Sequence, residues 1–327
     1  MKRGFVVGKF YPPHAGHHHL IRTAAAHADQ LVVGVVDNPR YTIPAKLRAT
    51  WLQETHPDVT VTVIPDINDD DNSEAWALHT KTFLGYTPSF VATSENYGTT
   101  WAHALNCEHI LVDIDRTTYP VSGTKVRSDP FTYWQYLEPN VQAYFTPRVA
   151  VVGAESTGTT TLTRQLAEYY TTNWVPEYGR MYTEGKLRSG QLSANWTSHE
   201  FEHIASVQNQ AEDEYARSSN ELLICDTNAF ATELWHELYM NTHSKAVAEL
   251  AHNRHYLLHI VTSPDIPYEQ DGTRDSEPLR QWMHERFIAE LSKRNLPFIV
   301  VTGSKEKRLT QATAAIDAVL TDRKKVY

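Results

Sequence analysis

Short apolar runs alternate with amphipathic segments along the whole chain. In the first half, strands are expected at 4–8, 31–36, 60–64, 89–93 and 109–112. Helices fall between them at about 16–29, 44–55, 73–84 and 98–104, and another opens near Thr124. Runs rich in Val and Ile, separated by segments of helical periodicity, predict a doubly wound parallel sheet. The pattern restarts after Tyr144-Phe145-Thr146-Pro147 with a strand at 148–152 and a helix at about 159–170. A long helical stretch at 197–217, strand 221–225 and helix 229–240 follow, then strand 256–262, helix 277–294, strand 297–301 and a last helix at 307–321. The expected fold class is therefore α/β, with two doubly wound parallel-sheet domains at 1–146 and 147–327. Ligands in such sheets bind beyond the carboxyl ends of the strands, so the loops that follow the apolar runs come first in a search for chemistry.

The first such loop follows Val6 and Val7. Gly8-Lys9-Phe10-Tyr11-Pro12-Pro13 cannot stay helical through two prolines, and His14-Ala15-Gly16-His17 then turns into a helix. A separation of three residues puts both imidazoles on one helical face. Two ring donors beside free helix N–H groups suit anionic oxygen, and Gly16 lets a nucleotide approach the backbone closely. Taken alone, the run also reads as a histidine-rich surface turn. A transition-metal site on the triple run His17-His18-His19 is disfavoured, because adjacent helical residues point in different directions. A second phosphate-seeking stretch is Val121-Ser122-Gly123-Thr124-Lys125-Val126-Arg127-Ser128. Ser122 or Thr124 can cap a helix beginning near Lys125, and Arg127 adds a forked cation suited to a triphosphate.

In the second half, Gly153-Ala154-Glu155-Ser156-Thr157-Gly158-Thr159-Thr160 follows an apolar strand and opens a helix, the context of a P-loop. Thr160 stands where the Mg²⁺-binding hydroxyl belongs. Thr159 stands where the lysine belongs, and no lysine occurs between Arg148 and Tyr170. A charge-assisted hydrogen bond is worth about 1.5–3 kcal/mol, so an uncompensated loss should cost on the order of a hundredfold or more in rate. Asp226-Thr227-Asn228 ends an apolar run, where an acid would hold Mg²⁺ or activate a hydroxyl.

Composition narrows the field. Lys and Arg total 30 against 39 Asp and Glu, for a net charge of −9. That argues against a nucleic-acid surface while leaving room for local phosphate pockets. Cys107 and Cys225 are far apart without C-x-x-C spacing, which fits a reducing cytoplasm and argues against structural zinc. Cys225 sits in an apolar run, where a small buried hydrophobe is expected. No apolar stretch reaches membrane-spanning length, and the chain enters a strand at once, so neither a signal peptide nor a preceding DNA-binding helix-turn-helix is expected.

Together the H-x-G-H turn and the S-x-T-x-x-R helix resemble the nucleotidyltransferase superfamily. Phe10-Tyr11-Pro12-Pro13-His14, Thr93-Ser94-Glu95-Asn96-Tyr97-Gly98, Asp115-Arg116 and Asp129-Pro130-Phe131-Thr132-Tyr133-Trp134 follow in an order that resembles the NadR family. Proteins of that family pair nicotinamide mononucleotide adenylyltransferase with ribosylnicotinamide kinase, and some also carry a DNA-binding domain. Glu177-Tyr178-x-Arg180 resembles the family's E-Y-x-R signature, expected on a substrate-facing loop. Residues 264–275, which include Asp271 and Arg274, resemble its lid, with Tyr268 in place of the usual tryptophan.

The resemblance implies a Rossmann-like nucleotidyltransferase followed by a P-loop kinase. His14 and His17 would hold the ATP phosphates, with Ser122, Thr124 and Arg127 on the β- and γ-phosphates and Lys9, Phe10 and Gly16 completing the site. In the second domain it implies a P-loop of Gly153, Glu155, Ser156, Thr157, Gly158, Thr159 and Thr160, with Mg²⁺ at Thr160 and Asp226. Glu177, Tyr178, Arg180, Asp271 and Arg274 would face the kinase substrate, and Arg274 could supply part of the missing charge. It also places residues near Asp37 and Arg48 around the pyridine nucleotide, though an exposed loop acid and a helix-surface arginine explain them as well. Trp76 and Trp101 could stack on a nicotinamide ring or merely pack. Asp69-Asp70-Asp71 reads as a solvated turn.

The expected ligands are ATP, nicotinamide mononucleotide, nicotinamide riboside and NAD, with no nucleic acid and no membrane; assembly into a homo-oligomer is left open. Three rivals remain. The P-loop half could be a silent nucleotide- or NAD-sensing module, the transferase could serve another small phosphate such as phosphopantetheine, or the protein could regulate genes through DNA. The net charge disfavours the last.

Overall fold

The structure, a computed structural model, describes residues 1–190, 196–269 and 277–322. It divides into a unit spanning Met1–Gln142 and a second unit from Ala143 onward. In the first unit the order is β1 (Arg3–Gly8), α1 (Ala15–Ala25), β2 (Gln30–Asp37), α2 (Ala45–Thr55), β3 (Thr60–Pro65) and α3 (Ser73–Leu84). β4 (Phe90–Thr93), α4 (Tyr97–Leu105), β5 (Glu108–Leu111) and α5 (Gly123–Ser128) follow, and α6 (Pro139–Phe145) runs across the division. The strands pair in parallel in the order β3-β2-β1-β4-β5.

Alternation along β1 explains the layers. Val6 joins Leu20, Ile21, Val33 and Leu52 on the side covered by α1 and α2. Phe5 and Val7 join Ile64, Ala77, Trp101 and Leu105 on the side covered by α3 and α4. Both faces are dry, which is why the strands read as continuous apolar runs. The strand order reverses at β1, whose neighbours are β2 and β4, so a crevice opens beyond its carboxyl end.

The second unit contains β6 (Arg148–Gly153), α7 (Thr159–Tyr169), β7 (Trp174–Val175), α8 (Tyr178–Arg188), α9 (Ser198–Ala216), β8 (Leu223–Asp226) and α10 (Ala229–Met240). α11 (Lys245–His252), β9 (Leu258–Thr262), α12 (Glu277–Lys293), β10 (Phe298–Val301) and α13 (Lys305–Asp322) complete it. Its parallel sheet has the order β10-β9-β6-β8-β7. Val149 and Val151 pack with Leu162, Leu166 and Ile316 on one face, and Ala150 and Val152 with Phe201, Phe230 and Phe287 on the other. Cys225 lies fully buried in the second of these clusters.

α6, β7, α8 and α11 add to the expected elements. The E-Y-x-R signature, expected on a loop, instead opens α8, with Glu177 at its N-cap. The helix expected near Lys125 begins at Gly123, because Ser122 rather than Thr124 caps it by accepting the Lys125 N–H at 3.3 Å. No described helix is long and apolar enough to cross a membrane.

Candidate active sites

In the first unit, Lys9, Phe10, His14, Gly16, His17, Ser122, Thr124 and Arg127 all line one cavity of about 620 Å³ at the carboxyl end of β1. The β1 loop reaches it through Phe10, held at φ +44°. His14 is the N-cap of α1 rather than a first-turn residue, and His17 follows on the helix. Their rings stack with centroids 3.7 Å apart, and Phe10 meets His17 edge-on at 5.0 Å. A Cβ on Gly16 would come within 3.2 Å of the His14 ring, so glycine is what lets that ring fold back over the helix start.

Both imidazoles have a buried Nδ1 without a hydrogen-bond partner. Burial first, and Arg116 second, push His14 down to about 3. Burial, then His14, His18 and Arg116, hold His17 well below the usual histidine range. Both rings are therefore neutral at physiological pH, each with one N–H to offer.

The cations of the lining are each engaged with a protein partner. Arg127 donates to the Tyr11 carbonyl and, at 3.3 Å, to Thr124 Oγ1, with its guanidinium 4.4 Å from the Tyr11 ring centre. Arg116, also in the lining, pairs with Glu95 at 2.7 Å. Lys9 pairs with Asp70 at 2.8 Å, and Asp70 and Asp71 border the cavity, so the acidic run is not simply a solvated turn. That hydrogen bond to Asp70 is the main cause raising the Lys9 pKa.

Arg48 is not a helix-surface arginine. It is fully buried and donates to the carbonyls of Ile43, Val36 and Lys9, which fixes the loop carrying Lys9. It does not line the cavity, and neither does Asp37, which is exposed. Trp76 and Trp101 do line it; Trp76 Nε1 donates to the Asp69 carbonyl at 3.0 Å, and Trp101 Nε1 is buried without a partner.

In the second unit, Gly153, Glu155, Ser156, Gly158, Thr159 and Thr160 line a cavity of about 660 Å³ together with Glu177, Arg180 and Asp226. Ser156 and Gly158 have φ of +57° and +86°, a concave turn of the kind in which successive N–H groups cradle anions. Thr157 lies behind it, donating to the Ala154 carbonyl at 2.6 Å and meeting the Thr262 hydroxyl at 2.7 Å. Gly153 is required there, since a Cβ would come within 2.2 Å of Thr262 Oγ1. Tyr178 turns away from the cavity, its hydroxyl 3.2 Å from His203 Nε2. Asp271 and Arg274 lie outside the described residues.

Thr160 Oγ1 donates to Asp226 Oδ2 at 2.6 Å, and Asp226 Oδ1 is buried without a partner. Burial raises the Asp226 pKa, opposed by the hydroxyls of Thr160 and Thr159 and by Arg164 and Arg180. Burial, and next the nearby Asp226, raise Glu177. The two carboxyls compete for one negative charge, so the pair retains a proton near neutrality. A hydroxyl beside a carboxylate with a spare oxygen fits Mg²⁺ that brings its other ligands with a nucleotide and water. No cluster of three or more His, Cys, Asp or Glu that could cage a metal occurs among the described residues.

The molecule thus joins a nucleotidyltransferase-type α/β unit to a P-loop unit. Residues 5–129 match the cytidylyltransferase-like family and residues 148–308 an AAA domain. Along most of its length the chain is similar to NadR proteins. It is 28% identical over 324 residues to the trifunctional NAD biosynthesis/regulator protein NadR of Escherichia coli (strain K12), covering 91% of this chain and 78% of that protein. A crystal structure of NadR protein in complex with NR superposes with a TM-score of 0.78 at 22% identity, over 98% of this chain and 96% of that one. NadR in complex with NAD and AMP-PNP gives 0.73 at 20% identity, over 97% and 96%. The nicotinamide-nucleotide adenylyltransferase of Halorubrum lacusprofundi is 33% identical over 103 residues, 29% of this chain and 56% of that protein.

Proposed function

We propose that the first unit transfers the adenylyl group of ATP to nicotinamide mononucleotide, and that the second phosphorylates nicotinamide riboside, so that both precursors are salvaged into NAD. The observation that carries this reading is the convergence of His14, His17, Ser122, Thr124 and Arg127 on one cavity, in a chain similar to NadR and to nicotinamide-nucleotide adenylyltransferases. A phosphate oxygen of the mononucleotide attacks the α-phosphorus of ATP. The new P–O bond forms as the bond to the β-phosphate breaks, and pyrophosphate leaves with that electron pair. No side chain is a nucleophile; the protein aligns the reactants and neutralises developing charge. Neutral His14 and His17 donate hydrogen bonds to phosphate oxygens. Arg127 exchanges the Tyr11 carbonyl for the β- and γ-phosphates.

In the second unit a ribose hydroxyl attacks the γ-phosphorus, ADP leaves with the bonding electrons, and the hydroxyl proton passes to the Asp226–Glu177 pair. Bound Mg²⁺ supplies charge neutralisation of the phosphates, and Thr160 and Asp226 are the residues that would hold it. Thr159 in the lysine position favours a second reading, in which this unit binds nucleotide without turning it over.

The deciding experiment incubates the protein with ATP, Mg²⁺ and either precursor, with products read by mass spectrometry. NAD from both supports the full reading, and NAD from the mononucleotide alone supports the silent P-loop. NAD from neither overturns the substrate assignment.

A further inference from the structure

The cavity of the second unit sets Arg164 and Arg180 against Glu155, Glu177 and Asp226 on its lining, and neither arginine stands at the lysine position of the loop; further cations lie behind that loop. Two arginines grip its backbone. Arg280, in the first turns of α12, donates from Nη2 to the Ser156 carbonyl at 3.1 Å and to the Ile266 carbonyl at 3.0 Å. Arg308, in the first turn of α13, donates from Nη1 to the Thr157 carbonyl, from Nε to the Gly303 carbonyl at 3.0 Å and from Nη2 to the Ser263 carbonyl at 2.8 Å. Both are about 95% buried, at 5% and 4% exposure, and neither lines the cavity.

A trans peptide is planar, with its C=O and N–H on opposite edges. Carbonyls of Ser156 and Thr157 drawn toward the arginines therefore aim the N–H groups of Thr157 and Gly158 the other way. The same hydrogen bonds polarise those peptides and strengthen their N–H groups as donors. The two arginines differ in charge balance. Arg308 pairs with Asp265, so its charge is largely met and its work is geometric. Arg280 has no carboxylate partner among the described residues, its Nε is buried without a hydrogen-bond partner, and its guanidinium centre lies 5.5 Å from the Tyr268 ring centre. A buried cation without a counter-ion is costly unless something anionic comes to it. An arginine left in that condition, one peptide behind a phosphate-binding loop, marks where the polyanion's charge is to be balanced.

We propose that Arg280 replaces the charge of the absent P-loop lysine from the far side of the loop, acting through the Ser156–Thr157 peptide, while Arg308 holds the Thr157–Gly158 peptide in register. Both are positioning residues, and the inference rests on the reading that this loop binds a nucleoside triphosphate. It deepens that reading by assigning the source of positive charge. Thr159 is tolerated because the field a lysine there would have supplied is already present.

The test uses the full chain with Arg280→Gln, Arg280→Lys, Thr159→Lys and the double variant Arg280→Gln/Thr159→Lys. The first readout is the Mg-ATP concentration that half-protects the amides of 153–160 from hydrogen exchange. The second is phosphorylation of nicotinamide riboside, with adenylyl transfer to the mononucleotide followed as a check on the other unit. Arg280→Gln is expected to raise the half-protecting concentration roughly 10- to 100-fold, the range of one charge-assisted interaction. Arg280→Lys should stay within about threefold, since it keeps the charge, and Thr159→Lys should restore most of the loss in the double variant. In the wild-type background Thr159→Lys should gain less than about threefold.

A hundredfold gain from Thr159→Lys alone, or unchanged ATP protection in Arg280→Gln, overturns the proposal. A wild-type loop that ATP protects but that makes no mononucleotide sinks the kinase reading and leaves the assignment of charge to the same variants. A loop that ATP never protects sinks both.

Discussion

On the proposed reading the two cavities serve the same kind of ligand with opposite equipment. The first sets two neutral, stacked imidazoles against the helix start and keeps Arg127, Arg116 and Lys9 occupied with Tyr11, Glu95 and Asp70. The second lines its floor with Glu155, Glu177 and Asp226 beside Arg164 and Arg180, and its loop is gripped from behind by Arg280 and Arg308. A phosphate site thus needs aimed donors more than it needs a positive wall. In the first unit the donors are side chains on a helix end; in the second they are backbone N–H groups held from behind.

The largest expected effects separate the two. His17→Ala should lower adenylyl transfer about 10²- to 10³-fold while leaving phosphorylation of nicotinamide riboside intact; loss of both activities would place the residue in folding rather than chemistry. Asp226→Asn should do the reverse, lowering phosphoryl transfer by at least about 10²-fold with adenylyl transfer unchanged, as steady-state assays with each precursor would show. A silent P-loop unit would instead leave nothing for the substitution to remove.

Arg48→Met probes the scaffold of the first cavity. It strips the partner from three backbone carbonyls, so urea unfolding of that unit should show a loss of about 3 kcal/mol.

Acidity sharpens the contrast further. Burial lowers His14 and His18 to about 3 and depresses His17, His56 and His109 as well. Below the unfolded value of 6.5 the unfolded chain takes up protons that these rings refuse, so the first unit should lose stability as pH falls from 6.5 toward 5. In the second unit burial lowers His236, His259 and His284 in the same way. There the raised carboxyls Glu177, Asp226 and Glu212 bind protons better folded than unfolded and oppose the loss. Peptide-resolved hydrogen exchange should therefore find a steeper loss in the first unit, and equal slopes would count against the neutral-histidine account. The smallest effect is Lys9→Met. The exposed Lys9–Asp70 pair should contribute only about 0.2–1 kcal/mol to stability, and thermal unfolding should barely move.

Much of this was legible in the sequence. Parallel strands buried on both faces announce themselves as runs of Val and Ile, and the loops after β1 and β6 carry their chemistry within a few residues. What was not legible depends on tertiary partners. α8 contains Gly179 and Gly185 and has a weak apolar stripe. It is held instead by Lys186, which reaches Glu200 on α9 at 2.8 Å and lies 4.2 Å from the Trp196 ring centre. α11 left a readable signal, since Ser244 caps it and Val247, Ala248 and Ala251 recur at helical spacing. Arg48, Arg280 and Arg308 look like surface residues because a charged side chain normally is one. Their burial depends on carbonyls distant in sequence, and no local pattern reports those. The acidic run at Asp69-Asp70-Asp71 reads as solvent-facing for the same reason, its link to Lys9 being made only by the fold.

The protonation of the unliganded cavities has a consequence for heat. His14 and His17 sit so far below neutrality that they stay uncharged when nucleotide arrives, so filling the first cavity should leave these rings without proton uptake. A divalent cation meeting the Asp226–Glu177 pair should expel the proton it shares. Calorimetric enthalpies measured in buffers of different ionisation heat would then carry a proton-release slope from the Asp226–Glu177 pair and none from the His14–His17 pair.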